Sequence, residues 1–90
     1  MKIVEVNEGK KIAYEINGNK ITFGDDELTL NISKYERDEE VIINICNDDD
    51  GILTSSLSKY FVANIIIPAK TQDKAFNIDD VTMNLWALEV

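Results

Sequence analysis

The sequence contains no histidine, and this absence bears most directly on catalysis. Histidine is the usual general base near neutral pH, the commonest metal ligand and the partner of Ser or Cys in nucleophile pairs. A Ser-Lys arrangement at Ser55, Ser56 or Ser58 with Lys59 remains conceivable, but nothing in the spacing brings a nucleophile, a base and an oxyanion site together. We interpret this stretch as a solvated serine-rich turn. We expect no enzyme, no catalytic residues and no cofactor.

Cysteine and long apolar runs are also scarce. Cys46 is the only cysteine, so an internal disulfide is excluded and an oxidising compartment is not indicated. Its place at the end of an apolar strand, without basic neighbours, predicts a small buried side chain instead of a reactive thiol. No run approaches the ~20 apolar residues of a membrane-spanning helix, and charge follows Met1 too soon for a signal peptide. We expect a cytoplasmic protein, or part of a particle assembled in the cytoplasm.

Basic residues are few relative to acidic ones. The chain has 9 Lys and Arg against 17 Asp and Glu, which gives a net charge of −8. Nucleic-acid binding needs clustered Lys and Arg to neutralise phosphates, and an acidic surface is repelled by anionic membranes. The composition therefore predicts neither nucleic acid nor membrane as a partner, and favours a basic partner or a multivalent cation without requiring either. Self-association or a protein partner is expected from the terminal strands described below.

Short stretches of alternating apolar and polar residues, separated by turn residues, fill the sequence. Side chains alternate across a strand, so this pattern predicts β-structure throughout. The predicted strands cover residues 2–6, 11–16, 20–24, 27–33, 41–46, 60–67 and 81–90, and residues 52–58 are either a short edge strand or a loop. We expect one all-β domain over residues 1–90. It should be a small antiparallel β-sandwich or barrel of about seven strands, with at most one short helical turn.

The stretch from Tyr60 to Pro68 is apolar on both faces of an extended strand. Such a segment requires cover on both sides, which predicts a central strand. Pro68 has no N–H for the ladder and should mark the end of the strand.

Two local details remain open. With Asn17-Gly18 at the centre of the first hairpin, Glu15 faces Lys20 and Tyr14 faces Ile21. With Gly18-Asn19 there, Ile16 faces Ile21 and Tyr14 faces Phe23. We favour the first register for its turn chemistry and charge pair.

The second open detail follows the fourth predicted strand. Ser33 with Glu36 three residues later resembles a capping box, which would begin a single helical turn. A charged loop explains the same residues equally well.

Several acidic clusters are candidate sites. Carboxylates at 25–27, 38–40 and 79–80 fit solvated turns better than a glycosidase pair across a cleft. Asp48, Asp49 and Asp50 are weak candidates for a calcium loop, since the ion takes hard oxygen ligands. An EF-hand register would require ligands at Cys46 and Leu57, so that pattern fails at both ends. An ordinary Asx-rich turn is the favoured interpretation.

The last strand carries the most suggestive feature. On the face opposite its predicted core side it becomes apolar at Trp86, Leu88 and Val90, and the first strand carries Ile3 on its nominal outer face. An apolar outer face on terminal strands indicates a second sheet or another chain. The candidate interface is therefore Ile3, Trp86, Leu88 and Val90, with completion of a closed sandwich core by Trp86 as the slightly favoured alternative.

The leading functional hypothesis is a non-enzymatic interaction or assembly module that associates through its terminal strands. A structural or accessory role in phage- or prophage-type particles is suggested by fold-level analogy alone. A second hypothesis is an acidic decoy or inhibitor that binds a basic protein surface. A third is a weak calcium-assisted ligand-binding module.

Overall fold

The computed structural model describes residues 1–48, 52–55, 57–58 and 60–88. These residues form two sheets and two short 3₁₀ turns. A three-stranded sheet has the order β2-β3-β4, and a five-stranded sheet has the order β1-β8-β7-β5-β6. The strands are β1 (Lys2–Glu5), β2 (Tyr14–Asn17), β3 (Lys20–Phe23), β4 (Leu28–Asn31), β5 (Val41–Asn47), β6 (Leu53–Thr54), β7 (Tyr60–Ile67) and β8 (Thr82–Leu85).

One hydrophobic core joins the two sheets. The small-sheet side contributes buried side chains from β3, β4 and the residues beside them. The large-sheet side contributes alternate residues of β5, β7 and β8, with Val62 in addition. The buried cluster comprises Ile12, Ile21, Phe23, Leu30, Ile32, Ile43, Ile45, Val62, Ala63, Ile65, Ile67, Val81, Met83 and Leu85. Two sheets around one core form a small β-sandwich, which confirms the predicted fold class.

The predicted central strand is confirmed. β7 is the third of five strands and pairs with β5 on one side and β8 on the other. Its register against β5 shifts between Ile45 and Cys46, and the shift makes Val62 an additional residue in β7. Val62 and Ala63 are consecutive and both buried, as expected where a bulge interrupts strict alternation.

β1 and β8 lie side by side and run parallel, unlike the other pairs, which are antiparallel. This differs from the predicted all-antiparallel arrangement. A tight hairpin forces two strands to be antiparallel, but β1 and β8 are separated by most of the chain. Their relative direction is therefore set by the sandwich.

The favoured hairpin register is wrong, and the alternative is the one adopted. Tyr14 is opposite Phe23, Ile16 is opposite Ile21 and Asn17 is opposite Lys20, so Gly18-Asn19 is the two-residue loop. Gly18 has φ of 62°, while Asn19 is not left-handed. A positive φ at the first central position alone is the pattern of a type II′ turn, which prefers Gly there.

The stretch after β4 forms a 3₁₀ turn, Ile32–Tyr35, so a short turn and not a charged loop begins there. The expected capping box is not formed, because the N-cap is Asn31 and Ser33 Oγ donates to Asn31 Oδ1 at 2.7 Å. A second 3₁₀ turn, Ile78–Asp80, precedes β8. No helix in the described ranges has the length and hydropathy to cross a membrane.

Candidate functional site

The first and last strands of the chain meet at one margin of the five-stranded sheet. We call β1, β8 and the following residues 86–88 the terminal margin. Lys2 is in register with Thr82, and the register continues to Glu5 beside Leu85. β8 is covered by neighbours on both sides, whereas β1 is the edge strand. No further strand of the described residues pairs with β1, so the margin ends in an open strand edge, which is a template for another strand.

The backbone groups that face this open edge can be assigned. Lys2 N–H donates to Val81 O and Val6 N–H donates to Leu85 O, both at 2.8 Å. Even-numbered residues of β1 thus direct their N–H groups toward β8, and Ile3 and Glu5 direct theirs away from it. The free edge offers the N–H and C=O groups of these two residues.

The edge strand is apolar as well as open. All four residues of β1 are exposed. Ile3 is 37%, Val4 44% and Val6 47% exposed. Natural edge strands are commonly protected by charge, proline or a covering element, and here Lys2 and Glu5 are the flanking charges. Alternation with Ile3 on the nominal outer face implied that Val4 and Val6 point inward, whereas both are exposed.

The four predicted interface residues occupy different positions. Ile3 is in register with Met83, so it lies on the core side of the sheet and not on the outer face as expected. Trp86 is half-buried, and its ring centroid lies 5.8 Å from that of Phe61. Leu88 packs against the core. Val90 lies outside the described residues.

The loop after β1 fastens the end of the last strand. Ala87 N–H donates to Asn7 Oδ1 at 2.6 Å, and Leu88 N–H donates to Lys10 O at 2.7 Å. Lys11 Nζ lies 3.6 Å from Glu5 Oε1. No local signal in the sequence marks the contacts of Ala87 and Leu88, since each joins residues about eighty positions apart. They make the terminal margin one structural unit.

The acidic loop is only partly described. Asp48 Oδ1 accepts a hydrogen bond from Ile52 N–H at 3.0 Å, and Asp48 N–H donates to Ile52 O at 3.1 Å. Asp49 and Asp50 lie outside the described residues. In the ranges that the structure covers, no three His, Cys, Asp or Glu side chains are placed to hold a metal ion. The calcium hypothesis stays an untested prediction.

A cavity of about 320 Å³ lies beside the N-terminal end of β1. Its wall combines apolar side chains such as Phe76 and Pro68 with charged ones of both signs, among them Lys2 and Glu36. Lys74 Nζ lies 2.9 Å from Asp80 Oδ2, so these two charged groups of the wall neutralise each other. The volume is at the small end for ligand sites. The wall provides no arrangement of a nucleophile and a base.

Cys46 is fully buried and unpaired with another cysteine. Its predicted role as a small buried side chain is confirmed. A buried thiol is inaccessible to reagents, so it adds no chemistry to the margin.

A scan against protein-family models and searches of curated proteins and of solved structures find no match for this chain.

Proposed function

We propose that the protein is a non-enzymatic interaction or assembly module that docks a partner strand on the open edge of β1. The observation that carries the proposal is the exposure of every residue of this edge strand, with aliphatic side chains on both of its faces. A partner strand added to such an edge gains main-chain hydrogen bonds, and its side chains gain apolar contacts. A place among structural or accessory components of phage-type particles would suit such a module, by fold-level analogy alone.

The backbone directions in β1 allow a sharp test. Glu5→Pro removes an N–H that points to the open edge, so it should block strand addition while keeping the bonds to β8. Both substitutions remove the side-chain contact of Glu5 with Lys11, but Glu5→Ala keeps the backbone N–H of residue 5. Glu5→Ala is therefore the matched control. Mass in solution should be measured by light scattering over a concentration series, at low and high salt.

We expect wild type and Glu5→Ala to form an oligomer that persists in high salt, because apolar contacts are not screened. Glu5→Pro should have a lower mass than both at the same concentrations, because it loses the association through the β1 edge. An oligomer unaffected by Glu5→Pro, or a wild-type protein that stays monomeric throughout, would contradict edge docking between copies.

The exposed acidic loops favour a second candidate function, an acidic decoy that binds a basic surface of another protein. Residues 25–27 and 38–40 are exposed carboxylates. Such binding would be driven by charge and should weaken steeply with salt. Binding of a basic protein that survives high salt would count against it.

A further inference from the structure

The face of the five-stranded sheet turned away from the core carries a row of amides. We call this the outer face. Asn44 is in register with Asn64, and Asn64 with Asn84, so three asparagines lie side by side across β5, β7 and β8. Asn84 Nδ2 donates to Asn64 Oδ1 at 2.8 Å. All three side chains are half-buried, in contrast to the buried inner face of the same strands.

Apolar and aromatic side chains flank the amide row on both sides. On one side are Ile42 and Ile66, which are in register, and Ile42 is 52% exposed. On the other side is Phe61, 41% exposed, in contact with Trp86. The amide row is therefore the centre of the outer face. On one side of it Ile42 and Ile66 are followed by Thr82 and Lys2, and on the other side lies the Phe61–Trp86 pair.

The outer face is nearly free of charge in a strongly acidic chain. In the registered rows of β1, β8, β7 and β5, Lys2 is the one charged residue on this face, at its margin. The net charge is −8, so two copies repel each other in most orientations. Contact through the outer face brings no carboxylates of these four strands together. Depletion of charge with retention of aromatic residues is the composition of an interface centre.

The amides decide what kind of surface can cover this face. Each asparagine has donors and acceptors beyond those used in the Asn84–Asn64 bond. A purely apolar partner would leave them unsatisfied, which is unfavourable in a buried contact. The occupant must therefore offer donors and acceptors in the centre and apolar groups at the edges.

We propose that the outer face binds the outer face of a second copy of this chain. A two-fold axis that runs parallel to the strands, above Asn64 and outside the sheet, stacks the amide row of one copy on that of the other. The same operation places Ile66 on Ile66 and Phe61 on Phe61, with Ile42 opposite Thr82. The outer face is thus self-complementary, as a two-fold interface requires.

The area of the outer face sets the expected affinity of the dimer. Strands are about 4.8 Å apart and side chains of one face about 6.8 Å apart along a strand. Four strands and three rows thus cover a flat area of roughly 400 Å² per copy, without the additional surface of the projecting side chains. This is below the roughly 800 Å² per partner of a standard interface. The dimer should therefore be weak and concentration-dependent, and salt should strengthen it by screening the repulsion between acidic copies.

Asn64→Asp tests the proposal with almost no change of shape. The new carboxylate can still accept from Asn84 Nδ2, but the two-fold axis brings it against its own copy. Asn17→Asp, in the exposed hairpin, adds the same charge away from the face and is the control. Sedimentation should be followed to roughly 1 mM chain, together with the emission of Trp86, the single tryptophan.

We expect a dimer for wild type and Asn17→Asp, a shift of Trp86 emission to shorter wavelength as the dimer forms, and dimerisation at least about tenfold weaker for Asn64→Asp. In Glu5→Pro, where docking on the β1 edge is blocked, this dimer should still form, which separates the outer face from the edge. A strict monomer at all concentrations overturns the proposal. An oligomer lost with Glu5→Pro but kept with Asn64→Asp also overturns it, while supporting the edge as the docking site.

Discussion

Gly9 shows how one residue can hold the terminal margin together. Its φ is 122°, and a Cβ built there would lie 2.8 Å from the Cβ of Ala87. Glycine is required both for the left-handed backbone and for the close approach of the loop to the end of the chain. Gly18 shares the positive φ, but nothing lies within 4 Å of the position of its Cβ.

The two glycines give a matched pair of substitutions. Gly18→Ala should cost about 1–2 kcal/mol of unfolding free energy, from the left-handed backbone alone. Gly9→Ala adds overpacking against Ala87, which costs a further 1–3 kcal/mol or so. Urea unfolding of both variants measures the difference. Equal losses would mean that the loop moves away from Ala87 without cost.

Trp86 is half-buried, and its replacement tests whether the side chain contributes mainly to the core or to the surface. Its ring contacts Phe61, and an aromatic pair contributes about 0.5–1.5 kcal/mol beyond the area it buries. Because Trp86 is half-buried, we expect Trp86→Ala to remain folded with a loss of about 1–2 kcal/mol. Ile65→Ala, at a fully buried position of the central strand, should cost about 2–5 kcal/mol. Thermal and urea unfolding would show this order, and a collapsed Trp86→Ala would place Trp86 in the core.

At the scale of elements, stability is concentrated in the central strands. β7 has a paired neighbour on each side, and its inward side chains Ala63, Ile65 and Ile67 are fully buried. β2 is an edge strand whose four residues are exposed, and β6 has only two residues. Local opening costs least where few apolar contacts are lost.

Amide hydrogen exchange should follow this arrangement. The N–H groups of β7 and of its partner β5 should exchange slowest, near the rate set by global unfolding. Those of β2 and β6 should exchange orders of magnitude faster. Comparable protection in β2 would indicate that its open edge is covered in solution, by another copy or by a partner.

Strand interiors were predictable from sequence and strand ends were not. In the last strand, alternation places Val81, Met83 and Leu85 on the face opposite Trp86, which predicts that they point inward, and all three are buried. The last strand, however, was expected over 81–90 and ends at Leu85. Alternation is a property of one strand, whereas the length of a strand depends on how far its neighbours continue beside it.

At the scale of the whole molecule, charge is the dominant surface property. The net charge of −8 makes the folded state repel itself, and exposed ion pairs such as Lys74–Asp80 offset part of this. Exposed pairs contribute little individually. Screening should therefore favour the folded state.

Sodium chloride should raise the melting temperature. A gain of about 1 kcal/mol corresponds to roughly 4–8 °C for a domain of this size. Neutralising the exposed loop carboxylates with Glu39→Gln and Glu40→Gln should raise the melting temperature at low salt and reduce the response to salt. Calorimetry at dilute concentration checks both, and a melting temperature indifferent to salt would contradict the role assigned to net charge.

The amino-acid sequence by itself determined the class of fold, the central strand and most of the core, because alternation and turn residues act within a few positions. Only the tertiary structure decided that β1 lies parallel to β8, that Ile3 is on the core side, and that Asn44, Asn64 and Asn84 form one row. The physical reason is that these features depend on pairing between distant strands. Such pairing is chosen by the packing of the whole sandwich, and no local pattern encodes its direction or register.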